Sequence, residues 1–181
     1  FVRRGFAFLK FNFSHNGGTV DEPIDFPDLE AFSENRYSYE VKDLEIILDL
    51  ICDENQELFK SIDKERIYLI GHSRGGGISV LKAAQDSRVK KLVTWAAVSD
   101  FKSRFPKGKA FEDWKETGVM TVKNGRTKQD MPHRFSFYQD FIEKEEELTI
   151  LEGAKTLEIP YLIIHGLNDE AVSSEEAENL H

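Results

Sequence analysis

The stretch Ile67-Tyr68-Leu69-Ile70-Gly71-His72-Ser73-Arg74-Gly75-Gly76-Gly77 runs a short apolar, β-branched segment into a glycine-rich turn. Beyond it, Ile78, Leu81 and Ala84 fall on one face at helical spacing. A bare Gly-x-Ser-x-Gly is weak, because ordinary glycine and serine usage produces one by chance in roughly one chain in fifteen of this length. Its position between a strand signal and a helix signal gives it weight. A sharp strand-to-helix turn lifts the Ser73 hydroxyl out of the sheet. Side chains two residues to either side would strike neighbouring backbone, a demand that Gly71 and Gly75 meet. Ser73 is therefore nominated as a nucleophile. The competing readings are an incidental serine in a glycine-rich turn or a phosphate cradle, and no Gly-Lys-Ser/Thr follows to support the cradle.

Upstream, Ala7 to Phe13 reads as a largely apolar strand, ended by the turn formers Ser14-His15-Asn16-Gly17-Gly18-Thr19. From Ser38 to Phe59, Val41, Leu44, Ile47, Leu48 and Ile51 recur every three or four residues, which predicts an amphipathic helix feeding the turn strand. Downstream, Lys91 to Val98 and Tyr161 to Gly166 read as two further strands. Apolar strands separated by helix-length connections predict an α/β fold with a mostly parallel sheet and helices on both faces. The interval 102–159 lacks a strand of that quality but holds Phe111, Trp114, Phe135, Phe137, Tyr138 and Phe141, and reads as a helical insertion. Glu143 to Glu147 is a solvated helix face there. Lys102, Arg104, Lys107 and Lys109 read as surface charge, with steering of an anionic substrate as the alternative.

A length of 181 residues and 40% hydrophobic content fit a single domain with a sizeable core. The formal charge of −9 argues against nucleic acid, whose phosphates need clustered cations. Small molecules are the better partner class. No apolar run reaches the roughly 20 residues that span a bilayer, so the expectation is a cytoplasmic protein with no membrane partner. Cys52 is the lone cysteine, which excludes an internal disulfide and suits a small buried hydrophobe. Phe1 to Gly5 looks like the last turn of a helix with Gly5 as its stop, and Ser173-Ser174-Glu175-Glu176 looks like a capping box. Both ends are thus expected to lie within a fold rather than at its borders.

With these parts assembled, the chain resembles the α/β-hydrolase superfamily, and within it the dienelactone-hydrolase, prolyl-oligopeptidase and serine-aminopeptidase-like groups. The resemblance rests on Gly71-His72-Ser73-Arg74-Gly75-Gly76 and on Ile164-His165-Gly166-Leu167-Asn168-Asp169. It implies one incomplete hydrolase domain over residues 1–181, with 102–159 as a lid. In that superfamily a strand ends in His-Gly-x-x-Asp and the Asp is the acid of the triad, which implies Asp169. Asp100 also follows a strand and competes for the role, while a plain turn-forming Asp is the simpler alternative. The resemblance places the base downstream of the acid, where only His181 stands, so the catalytic histidine is expected to lie outside this segment. His165, at a strand end, is read as structural or pocket-lining. His72 and His133 are poor substitutes. One oxyanion donor is the backbone N–H of Arg74, and the second is expected upstream of Phe1 rather than in His15-Asn16-Gly17-Gly18. The implied function is a serine hydrolase cleaving an ester, thioester or amide of a small acyl substrate through an acyl-enzyme on Ser73. No metal or organic cofactor is implied. The segment alone is expected to be inactive. A non-catalytic small-molecule binding protein of the same fold is the rival reading.

Overall fold

The computed structural model describes residues 1–181. Two helices, α1 (Leu29–Ser33) and α2 (Tyr37–Cys52), precede the turn strand β1 (Ile67–His72). Helix α3 (Arg74–Gln85) carries the chain back to β2 (Val89–Trp95). A long excursion follows, with α4 (Lys109–Thr117), β3 (Val119–Lys123), β4 (Asp130–Arg134), α5 (Ser136–Glu143), α6 (Glu145–Leu148) and α7 (Ile150–Lys155). The chain then re-enters the sheet as β5 (Tyr161–Ile164) and closes with α8 (Glu175–Leu180).

Strands β1, β2 and β5 form a parallel sheet in that order, with Leu69 beside Leu92 and Leu92 beside Tyr161. Because all three run the same way, the loops that follow Ser73, Trp95 and Ile164 emerge on one edge of the sheet. Helix α3 packs against β1 and β2, α2 and α7 pack against α3, and α8 packs against β5. Ile78, Val80 and Leu81 on α3 and Val89 and Leu92 on β2 are essentially inaccessible, and burial of such side chains is the main force fixing helix to sheet. Helices cover this one face. The other presents Ile70, Trp95, Leu162 and Ile164, all substantially exposed, and the N-terminal segment meets it through Phe6 against Tyr68.

Three local expectations are corrected. Residues 7–13 form no strand, because a strand exists only through a partner's ladder and this segment exchanges no backbone hydrogen bond with β1. Phe11 and Phe13 instead pack edge to face, 5.4 Å apart, against the core. The insertion is not wholly helical: β3 and β4 make an antiparallel hairpin across the turn at Asn124-Gly125. Its outward residues on β3 are mostly exposed, so no strong apolar alternation marked it. The capping box does not form either, since Glu176 reaches across to Ser99 rather than back to its own helix start. Gly5 does end a short 3₁₀ turn (Val2–Arg4) with φ +79°.

The aromatic side chains of the insertion pack on one another. Trp114 is fully buried, donates its indole N–H to the His133 carbonyl at 2.8 Å, and has Phe105, Phe111, Phe135 and Tyr138 around it. Tyr37 of α2 stacks on Phe101 at 3.8 Å, so this cluster is continuous with the central core. Helix α7 belongs to the body, with Ile150 packed where a β-carbon on Gly77 would stand.

Candidate active site

Ser73 sits between the last residue of β1 and the first of α3 with φ +53° and ψ −123°, a conformation that costs a non-glycine residue about 1–3 kcal/mol. Its surroundings hold it there. The Ser73 N–H donates to the Trp95 carbonyl at 3.0 Å, and the Ser73 carbonyl accepts from Gly76 at 3.0 Å and Val98 at 3.2 Å. Ala96, at the end of the neighbouring strand, also has positive φ (+45°) and donates to the Ile164 carbonyl at 2.8 Å. The three strand ends are thus pinned to one another at the level of Ser73, whose side chain remains half-buried and reachable.

Crowding falls on a different pair of glycines from the Gly71 and Gly75 of the pattern. A β-carbon on Gly71 would collide with the Gly75 carbonyl and with Ser79, and one on Gly76 would collide with Ala97. One on Gly75 would meet nothing. Of the glycines around Ser73, Gly71 is crowded by the start of α3 and Gly76 by Ala97 in the loop after β2.

Arg74 opens α3, so its backbone N–H lacks an intrahelical acceptor and points from the positive end of the helix beside Ser73. Its side chain turns toward α2. Nε donates to Glu40 Oε2 at 2.9 Å, and Nη2 lies 2.6 Å from Oε1, off the line of its N–H bonds. The guanidinium lies over the rings of Tyr37 and Phe137. Burial, only partly offset by the Arg74 charge, pushes the Tyr37 hydroxyl up to about 12.

Asp169 lies in the loop after β5, on the same sheet edge as Ser73. Its Oδ1 accepts the amides of Ala171 and Val172, each at 2.9 Å, and these bonds, with the nearby His165 and His72, hold its carboxyl below the usual range. Its second oxygen makes no bond within the chain. Asp100 is different: both oxygens are taken, Oδ1 by the Lys102 amide and Oδ2 by the Ser103 amide, so it braces the 3₁₀ turn Lys102–Arg104. His165 ties the loop after β5 together through Nε2 to the Val172 carbonyl at 2.8 Å, and its buried Nδ1 has no partner.

The remaining imidazoles are occupied elsewhere. His15 bonds Ser14 Oγ and packs on Tyr39, in a loop fastened to α2 through Ser14 and Asp43. His72 leans on Trp95 over the open sheet face. His133 packs between Phe32 and Phe137, where burial and then the Arg74 charge bring it down to about 4. His181 is exposed at the end of α8. None hydrogen-bonds Ser73. No local pattern signals that His133 comes beside Arg74, because 59 positions of irregular spacing separate them.

Three of the four surface cations of the insertion are paired: Lys102 with Glu145, Arg104 with Glu176 and Lys109 with Asp113. Glu176 also accepts the Ser99 amide and hydroxyl, both at 2.6 Å, which joins α8 to the loop after β2. Cys52 is half-buried at the end of α2 and free. Two surface hollows of about 250 and 300 Å³ flank α3, and neither is lined by Ser73 or Asp169. No cluster of His, Cys, Asp and Glu has metal-binding geometry, and no helix is long and apolar enough to cross a membrane.

Residues 30–181 match the sequence profile of the prolyl oligopeptidase family. The chain belongs to that family. Among curated proteins none matches it. Among solved structures, the chain is similar to a protein of Agrobacterium vitis S4 described as a hydrolase, with TM-score 0.63 and 20% identity over 83% of this chain and 56% of that one. It is similar to the acylaminoacyl peptidase of Pyrococcus horikoshii, with TM-score 0.55 and 18% identity over 83% of this chain and 22% of that one. A puromycin-hydrolyzing peptidase of Mycobacterium tuberculosis gives TM-score 0.51 and 21% identity over 78% and 19%. At such identities the likeness establishes the α/β-hydrolase fold of this prolyl oligopeptidase family chain. The chain spans from about a fifth to just over half of these three structures.

Proposed function

We propose that this prolyl oligopeptidase family chain is the nucleophile-bearing part of a serine hydrolase that cleaves an ester, thioester or amide bond of a small acyl substrate. The observation that carries the reading is Ser73 held at φ +53° on a strand-to-helix turn, its hydroxyl reachable and the unpaired Arg74 N–H beside it. In this reading an imidazole takes the Ser73 proton as Oγ bonds the carbonyl carbon, and the Arg74 N–H meets the oxyanion. The protonated imidazole gives that proton to the leaving group as the scissile bond breaks. Water then repeats the sequence on the acyl-enzyme and frees Ser73. Asp169 keeps one oxygen in its own loop and offers the other to orient the imidazole. That histidine is proposed to come from outside residues 1–181, since each of the five within them is engaged elsewhere or remote. The insertion would act as the roof of the acyl site, fastened by Arg36 to Ser136 and Ser38 to Asp140.

The test is labelling of the full-length protein with a fluorophosphonate probe. Modification is expected at Ser73 and is expected to vanish in Ser73→Ala. The absence of an imidazole at Ser73 keeps a second reading in view, a binding protein that retains the fold without the chemistry. A folded full-length protein that takes up no probe and turns over no ester would favour that reading instead.

A further inference from the structure

We infer that the Arg74 side chain and Glu40 together form a positioning device for the oxyanion donor, an inference that rests on the serine-hydrolase reading. The first turn of α3 is Arg74-Gly75-Gly76-Gly77, so Arg74 supplies the only side chain in it. Three successive glycines leave that turn with little intrinsic stiffness. The amide whose direction matters belongs to the one residue able to anchor it.

The anchor reaches two separate elements. Glu40, 3% exposed on α2, receives Arg74 Nε and is itself fixed by Asn35, 6% exposed, whose Nδ2 donates to Oε1 at 2.7 Å. On its faces the guanidinium lies 4.7 Å from the Tyr37 ring centre and 5.2 Å from that of Phe137, the latter carried by α5 of the insertion. Helix α2 and the insertion therefore both bear on the first residue of α3. Glu40 is buried while the Arg74 side chain is 32% exposed, and such a pair is a weak source of net stability, because taking its charges out of water costs about as much as their attraction returns. What this pair supplies is direction. With its charge matched by Glu40, Arg74 is also ill suited to hold an anionic substrate, which leaves orientation of its own backbone as its function.

The test uses the full-length protein, a p-nitrophenyl ester, and the variants Glu40→Gln, Arg74→Met and the two combined. The combined variant removes both charges while keeping similar volumes, so its thermal melt is expected to stay near that of the wild type. Its kcat is expected to fall about 10²-fold with KM little changed, as for a donor displaced by a fraction of an ångström. Fluorophosphonate uptake at Ser73 should slow in parallel, and Arg74→Lys, which keeps the charge without the planar fork, should recover part of the loss. A combined variant with wild-type kcat, or a loss of rate that follows only the unfolded fraction, overturns the inference while leaving the hydrolase reading intact. A wild type that neither labels nor turns over overturns both.

Discussion

Gly71 lies so close to Gly75 that a β-carbon added to the first would stand 2.5 Å from the carbonyl oxygen of the second, and 2.5 Å from Ser79 Oγ. That contact locks the end of β1 onto the first turn of α3 and so sets the backbone path through Ser73. Gly71→Ala must push strand and helix apart, at a cost of about 1–3 kcal/mol. Gly75→Ala meets open space within a helix, where alanine is favoured over glycine by about 0.5–1 kcal/mol. Thermal melts of the two variants are expected to move in opposite directions, with probe uptake at Ser73 lost only in Gly71→Ala. Equal destabilisation by both would show that the turn at Ser73 is not held by this contact.

The two carboxylates that follow sheet strands divide by their free oxygens. Asp100 spends both on the amides of Lys102 and Ser103, whereas Asp169 keeps one unbonded on the edge where Ser73 emerges. In the full-length protein Asp169→Asn is expected to lower kcat by roughly 10⁴-fold, as when a triad imidazole is held in the wrong tautomer. Asp100→Asn should loosen its turn with Lys102 and Ser103 and leave the rate nearly unchanged. Steady-state kinetics of the pair decide it, and a reversed ranking would move the acid to the loop after β2.

What could be read in advance was whatever lies in short-range pattern. The β1-Ser73-α3 unit, the amphipathic α2 and the strands β2 and β5 each carry an apolar run or stripe in sequence, so local pattern announced them. Residues 7–13 carry the same apolar signal, yet a strand depends on a neighbour's backbone, which no local pattern encodes. The β3-β4 hairpin escaped for the opposite reason, since its outer face is polar and only Asn124-Gly125 marked the turn. The Gly-x-Ser-x-Gly pattern marked the strand-to-helix turn at Ser73 but misassigned one of its glycines, because crowding at Gly76 comes from Ala97, more than twenty residues away. Glu40 with Arg74, and Glu176 with Ser99, are long-range pairs of the same kind. Nothing in their local sequence distinguishes them from surface charge.

His133 offers a measurement of how the insertion seats on the start of α3. Burial against Phe32 and Phe137, with the Arg74 charge nearby, lowers it from 6.5 to about 4 in the folded chain. The fold therefore disfavours the bound proton, and between those two values the unfolded chain holds more protons than the native one. Stability must then fall as the pH drops from about 6.5 toward 4, by about 3 kcal/mol at most, and this contribution levels off below 4. His133→Phe keeps an aromatic ring in the same cluster but cannot take up a proton. Its melting temperature is expected to decline less steeply than that of the wild type across this window, with the two curves differing little in slope above pH 7. Parallel declines from pH 7 to 4 would mean that the imidazole is solvated in the native state, and that the insertion does not close over Arg74 as the packing of Phe137 requires.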